Sequence, residues 1–180
     1  MKKKILFVTA LLSLGLVLAG CGSSDVSTGG TGNSTEKKEE SNSETKEVKK
    51  DSGKTIDATA HTTDVLGMKV ALGEIKITED KISVGMNLEN TSDAALSFYP
   101  DQGQLVVGDM QLNANMFMTT GEIGGDVQGG VKQEGVIEFL APEGKKIDVN
   151  AVKELKLLFG DITTADFMQS KPVEFVVPVQ

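Results

Sequence analysis

The single cysteine, Cys21, is the residue with the widest chemical repertoire in this 180-residue chain. A lone thiol can act as a nucleophile, as a metal ligand or as half of an intermolecular disulfide. It cannot form a disulfide within the chain, because there is no second cysteine. The sequence around Cys21 must decide among these roles, and it also indicates the compartment in which the protein works.

Two methionines, Met116 and Met118, offer a second possible chemistry. In the stretch NANMFMTT they stand two residues apart, a spacing that predicts both thioethers on one face of a strand. Soft sulfur ligands suit Cu(I), so one hypothesis is an extracytoplasmic site for copper or another small solute, completed by His61, Met68 or Met110. The alternative is that these methionines pack in the core or at a sheet edge.

No pattern typical of an enzyme is present. His61 is the only histidine, which excludes a multi-histidine metal site, and the motifs GxSxG, SxxK and HExxH do not occur. Carboxylates are abundant but lack the loop spacing of a calcium site. One tyrosine and no tryptophan disfavour a glycoside hydrolase. We therefore predict a non-enzymatic protein that has no metal or other cofactor.

The charge composition excludes nucleic acid as a partner. The net charge is −8, and all 18 basic residues are lysines. Arginine is the residue best suited to a bidentate grip on phosphate, and neutralisation of phosphates dominates affinity for nucleic acids. An acidic chain without arginine is a poor candidate for such binding.

The N-terminus has the organisation of a secretory signal peptide. MKKK is a basic start, and an apolar run of 14 residues follows from Ile5 to Leu18. This run is short for a bilayer-spanning helix and has the length of a signal-peptide apolar region. Small residues then precede Cys21.

Leu18, Ala19, Gly20 and Cys21 resemble the lipobox of bacterial lipoproteins, in which L-[AS]-[AG]-C ends the signal peptide. The resemblance implies a thioether between the Cys21 sulfur and a diacylglyceryl group, and cleavage between Gly20 and Cys21. Two acyl chains are sufficient for stable anchoring. We therefore expect residues 1–20 to be removed and the membrane to be a partner through the lipid on Cys21. The protein would face the extracytoplasmic side of the cell membrane.

Residues 21–55 are predicted to be a disordered tether. After Cys21 the stretch is dominated by Ser, Thr, Gly, Glu and Lys, and its only aliphatic residues are Val26 and Val48. Such a composition cannot bury enough apolar surface to offset the entropy of ordering the chain.

Residues 56–180 are predicted to form one all-β domain. Apolar residues alternate with polar ones in most segments, most clearly in KISVGMNLEN, and the alternation in MKVALGEIKIT changes phase at Gly73, which suggests a bulge. Gly108-Asp109 is a good two-residue hairpin turn. Seven or eight short strands separated by turn signals favour an antiparallel sandwich with low helix content.

The stretch TTGEIGGDVQGG, residues 119–130, is the most unusual segment and is predicted to be a loop. It contains five glycines but lacks the Lys-[Ser/Thr] of a phosphate-binding loop. It is either a flexible connection or a loop that binds a partner. The residues of the possible binding loop are Gly121, Gly124, Gly125, Asp126, Gly129 and Gly130.

The order of segments from about residue 64 onward resembles an immunoglobulin-like family of unknown function that is common in Gram-positive surface lipoproteins. The similarity rests on NLENTSDAALSF and on the later GVIEFLAP, where Gly135, Phe139 and Pro142 match a G-x-(V/I)-x-F-x-x-P strand. It implies an immunoglobulin-like sandwich without established enzymatic activity, and no functional residues to transfer. We expect a membrane-anchored lipoprotein that presents this domain to an envelope or extracellular protein.

Overall fold

The computed structural model describes residues 26–28 and 53–180. Twelve strands are described there: β1 (Lys54–Asp57), β2 (Thr62–Val65), β3 (Met68–Ile77), β4 (Lys81–Asn90), β5 (Leu96–Phe98), β6 (Gln104–Val107), β7 (Met110–Asn113), β8 (Thr120–Glu122), β9 (Gly125–Val127), β10 (Lys132–Leu140), β11 (Glu154–Thr164) and β12 (Ser170–Pro178). A single turn of 3-10 helix, Pro100–Gln102, is the helical element of these residues.

The strands form two antiparallel sheets, so the all-β sandwich expected from the alternating pattern is confirmed. Sheet I has the order β1-β3-β4-β10-β8, and β2 also pairs with β3. Sheet II has the order β7-β6-β11-β5-β9, and β12 pairs with β11. Every strand pair is antiparallel.

The strand count of seven or eight was too low. The missed strands are β1 and β2, which pair with successive parts of β3, and β8 and β9, which lie in the glycine-rich stretch. Each has only three or four residues; β1 and β2 have no fully buried residue, and β8 is exposed throughout. A period of two is not readable over so few residues, so neighbouring strands and not local pattern decide these elements.

One apolar core lies between the sheets. The alternating residues predicted on one face of β4, namely Ile82, Val84, Met86 and Leu88, are all buried in it. Sheet II contributes residues such as Leu157 and Phe159. The Phe159 ring lies 6.3 Å from the rings of both Phe139 and Phe175, centroid to centroid, within the range of favourable aromatic pairs.

The predicted bulge in β3 is confirmed. Leu72 pairs with Met86 and Ile75 pairs with Val84, so two residues of β3, Gly73 and Glu74, oppose the single Gly85 of β4. The Gly108-Asp109 turn between β6 and β7 is also confirmed, with Gly108 at a φ of 57°. Positive φ is the conformation in which glycine carries no steric penalty.

One domain boundary and one part of the predicted tether need correction. The predicted tether ends at residue 55, but β1 already begins at Lys54. Val26–Thr28, in the predicted disordered range, are placed on the outer surface of sheet I. The predicted signal peptide, Cys21 and residues 29–52 of the predicted tether lie outside the described residues.

Candidate binding face

The outer face of sheet I is unusually well covered for a face turned away from the core. In β4 the five consecutive residues 82–86 are buried, and in β10 so are residues 135–139. A strand with only one covered face would alternate between buried and exposed residues. Something therefore also covers the outward positions, which include Ser83, Gly85, Val136 and Glu138.

A short segment, Val26–Thr28, lies on this face. We call these three residues the clip segment. Val26 is 9% exposed and Val136 of β10 is 3% exposed. Neither belongs to the apolar cluster between the sheets. Val136 stands opposite Gly85 in the register of β10 and β4, so its burial belongs to the outer face.

The clip segment is held through its main chain. The Glu74 N–H donates to the Ser27 carbonyl oxygen at 2.8 Å, and the Ser27 N–H donates to Glu74 Oε2 at 3.0 Å. The bulge creates this pairing, because it places an extra residue of β3 outside the normal register with β4. One residue of sheet I thus satisfies both main-chain groups of Ser27.

Two side chains hold the end of the segment. The Asn87 amide donates to the Thr28 carbonyl oxygen, and the Thr28 hydroxyl donates to Glu134 Oε2 at 3.2 Å. Asn87 and Glu134 stand opposite each other in the register of β4 and β10. Three of these four contacts are with main-chain atoms of the clip segment, namely Ser27 N–H, the Ser27 carbonyl and the Thr28 carbonyl.

Two glycines make room for the segment. A Cβ on Gly73 would lie 2.5 Å from the Ser27 carbonyl oxygen, and a Cβ on Gly85 would clash with the same oxygen. For both residues, the three nearest atoms to such a Cβ all belong to Ser27 or Thr28. Glycine within a strand is a mark of close backbone approach. We call the strip formed by Gly73, Gly85 and Val136 the glycine trench.

A buried charged network lies beside the trench. The Ser83 hydroxyl donates to Glu138 Oε2 at 2.8 Å, and Lys81 Nζ donates to Glu138 Oε1 at 3.1 Å. Glu138 is 9% exposed, and both of its oxygens have partners. A buried carboxylate needs such partners, so this network completes the polar edge of the face.

The methionine pair does not lie on a strand, so that part of the copper hypothesis was wrong. Residues 115–119 form a turn in which the N–H groups of Met118 and Thr119 donate to the Asn115 carbonyl oxygen. Met116 and Met118 are 49% and 43% exposed, while Met68 is fully buried in the core. His61 is half-buried, and its ring Nδ1 lies 3.2 Å from the Ala58 carbonyl oxygen.

The glycine-rich stretch is not one loop. Gly121 lies in β8, which pairs with β10 of sheet I, and Gly125 and Asp126 lie in β9, which pairs with β5 of sheet II. The chain therefore passes from one sheet to the other within residues 122–125. Gly124 lies in the connection, and Gly129 and Gly130 form a turn before β10. Binding by this segment stays a prediction.

Other surface features are separate from the trench. Phe117 is 93% exposed, and Phe167 and Met168, in the β11–β12 turn, are 80% and 81% exposed. A cleft of about 380 Å³ lies near Met110, Lys146 and Asp148. No group of three or more His, Cys, Asp or Glu side chains suited to a metal ion occurs among the described residues.

The shifted pKa values belong to turns and not to the trench. The Thr164 hydroxyl and the Met168 N–H donate to Asp166 and lower the pKa of its carboxyl group. Thr59 lowers the pKa of Asp57 in the same way, through its hydroxyl and its N–H. A hydrogen bond to Asp80 raises the pKa of Lys146. These carboxylates organise local backbone turns.

Sequence reasoning missed the docking of the clip segment, although two signals pointed to it. Gly85 interrupts the best strand of the chain, and Val26 is one of two aliphatic residues in a polar tract. Each signal is weak by itself, since a strand glycine and a stray valine are common. Only the bulge, which turns the Glu74 N–H toward Ser27, connects them.

Comparisons with known proteins support the fold alone. No family model and no curated protein matches the chain. A functionally unknown protein from Listeria monocytogenes EGD-e is similar in structure, with a TM-score of 0.52 and 11% identity over 71% of this chain and 86% of that one. At that identity the likeness extends to the β-sandwich and not to activity.

Two further solved structures are more distant. The yjhA protein of Bacillus subtilis has a TM-score of 0.45 and 11% identity, covering 69% of this chain and 100% of that one. The GAE domain of yeast GGA1 has a TM-score of 0.35 and 14% identity, covering 67% and 98%. In residues 26–28 and 53–180 no helix is long and apolar enough to cross a membrane.

Proposed function

We propose that this protein is a non-enzymatic lipoprotein, anchored through Cys21 on the extracytoplasmic side of the membrane, whose sandwich binds an extended segment of an envelope or extracellular protein. The proposed peptide binding rests on the glycine trench, which holds the backbone of the clip segment at the bulge of β3. The Leu18–Cys21 lipobox supports the anchor.

The trench has the features of a peptide site. Glu74 offers one N–H donor and one carboxylate acceptor to the same peptide residue, at 2.8 Å and 3.0 Å. Main-chain bonds of this kind supply affinity, while pockets for side chains supply selectivity. Val136 provides the apolar floor beside Gly85. A partner segment needs a small residue at the position of Ser27 and an aliphatic residue just before it.

The anchor is tested by replacing Cys21 with serine. We expect the Cys21→Ser protein to lose labelling by a fatty-acid probe and to be either uncleaved or shed, because the serine hydroxyl cannot form the thioether. The matched control is Ser24→Ala, which leaves the lipobox intact and should label fully. Unchanged labelling of Cys21→Ser would refute the lipid anchor.

The trench is tested with a peptide corresponding to residues 22–32, labelled with a fluorophore, and the soluble mature chain with Cys21 replaced. The Val26→Asp variant should bind this peptide saturably, because a carboxylate placed near Glu74 and Glu134 weakens docking of the chain's own segment. The unmodified clip segment should compete in cis, where its effective concentration is high, and reduce binding.

Adding Gly85→Ala to Val26→Asp should abolish peptide binding, because the new methyl group occupies the place of the peptide carbonyl. Val48→Asp changes the other aliphatic residue of the tether and should behave like the parent. Absence of binding to Val26→Asp up to millimolar peptide contradicts the proposed peptide site. If the peptide still binds after Gly85→Ala is added, the peptide site lies elsewhere on the molecule.

A further inference from the structure

We infer that docking of the clip segment in the glycine trench sets the length of the membrane tether, and that a partner taking the trench lengthens it. The inference rests on the proposed function, since it needs both the anchor at Cys21 and the peptide site. It goes beyond that function because it gives the peptide site a means of regulation. The three residues of the clip segment occupy the binding face and also hold the sandwich near the membrane.

The position of the clip segment in the chain produces two tether lengths. From Cys21 to Val26 there are five residue steps, which span at most about 18 Å when fully extended. With the segment released, the tether runs from Cys21 to Gly53. Those 32 steps span at most about 110 Å when fully extended.

Docking also sets the orientation of the sandwich. The clip segment lies on the outer face of sheet I, over Gly73 and Gly85. A short connection from that face to a lipidated residue turns sheet I toward the membrane. The trench is then both occupied and shielded by the bilayer, so the docked state is closed to a partner in two ways.

The docked state is suited to reversal. Two of the hydrogen bonds that hold the segment, Ser27 N–H to Glu74 and the Thr28 hydroxyl to Glu134, are with exposed groups. Bonds of this kind contribute little beyond what water offers. The segment is short, so its ordering costs a comparable amount of entropy. A partner with a better side chain for the site of Val26 can therefore displace it.

Displacement and extension are thermodynamically linked. A partner that binds only the empty trench shifts the population toward the extended tether by its differential affinity for the two states. By reciprocity, whatever pulls the sandwich away from the membrane raises its affinity for the partner. Release of the clip segment therefore exposes the glycine trench and lengthens the tether at the same time.

Docking itself can be measured without the lipid. In the soluble mature chain with Cys21 replaced by serine, Ser24→Cys supplies a single thiol for a spin label. We expect strong paramagnetic broadening of the amide signals of Glu74 and Asn87. Val26→Asp or Gly85→Ala should remove this broadening, and Val48→Asp should leave it unchanged. Far-UV circular dichroism checks that each variant is folded.

The tether length is measured on the lipidated protein in vesicles whose headgroups carry an acceptor dye. A donor attached at Glu174→Cys, on sheet II, reports its height by energy transfer. We expect transfer to fall in Val26→Asp and in Gly85→Ala, because both substitutions release the clip segment. Val48→Asp should match the parent.

The outcomes separate the two proposals. Absence of broadening near Glu74 in the parent overturns the clip, even where Cys21 is lipidated and the peptide binds in trans. Broadening without any change of energy transfer between parent and Val26→Asp overturns the control of tether length and leaves the peptide site standing. Failure of lipidation at Cys21 overturns the anchor alone.

Discussion

At the scale of single residues, two large residues adopt a strained backbone conformation, and packing compensates the strain in only one of them. Leu66 and Phe167 are the described non-glycine residues with positive φ, at 55° and 58°. Leu66 packs partly against the core, whereas the Phe167 side chain is 80% exposed. A large residue in this conformation is costly. Packing offsets the cost at Leu66, and the described contacts offer little to offset it at Phe167.

Phe167→Asn is therefore expected to raise the free energy of unfolding by about 0.5–1 kcal/mol, since asparagine tolerates the left-handed conformation. Leu66→Asn is the matched variant and should lower it by about 1–2 kcal/mol, because it removes a packed apolar side chain. Urea unfolding followed by circular dichroism measures both. A loss of stability in Phe167→Asn would show that its exposed ring has a stabilising contact.

At the scale of elements, the glycine-rich stretch is a crossing between sheets. Gly121 has a φ of 83°, and a Cβ there would lie 2.5 Å from the Glu134 carbonyl oxygen of β10. Gly125 has a similar φ of 86°, but nothing lies within 4 Å of its Cβ position. The two glycines thus serve different needs. At Gly121, glycine is needed both for the positive φ and for the close approach of β8 to β10. At Gly125 it is needed for the positive φ alone.

Alanine at these two positions should separate the two effects. Gly125→Ala is expected to destabilise the sandwich by about 1–2 kcal/mol, the cost of a left-handed alanine. Gly121→Ala should cost about 1–3 kcal/mol more, because the methyl group also forces β8 away from β10. Thermal or urea unfolding gives both values. Equal losses would mean that β8 can move without cost, and that its pairing contributes little.

The bulge in β3 shows how one irregularity links elements distant in sequence. Its register shift places Glu74 where a third segment can pair with it, and the neighbouring Gly73 and Gly85 carry no side chain that would block that segment. The phase change in the sequence was enough to predict the bulge. Its use as a docking point was not predictable, because the docked residues precede it by more than 40 positions.

At the scale of the whole molecule, two sheets share one apolar core, while two buried valines lie outside it. The core cluster includes residues of both sheets, such as Leu72 and Leu157, and excludes Val26 and Val136. The sandwich can therefore keep its packing whether the clip segment is docked or released. This separation lets the proposed clip act as a switch without unfolding the domain that presents the site.

The charge of the whole molecule also affects how that switch would work. Residues 56–180 contain nine lysines and 19 acidic residues, a net charge of about −10. A domain this acidic is repelled by an anionic membrane surface. The docked clip would hold the sandwich near the bilayer against that repulsion, so the extended state is the one that charge favours.

The amino-acid sequence by itself determined the local features: the polar composition of residues 22–55, the long alternating strands and the bulge at Gly73. These follow from residue type and from a period of two, which neighbouring residues carry. Tertiary structure decided the short strands β1, β2, β8 and β9, the division of the glycine-rich stretch between two sheets, and the docking of Val26–Thr28. Each of these depends on backbone partners far away in sequence, and such partners become visible only when the sheets are assembled.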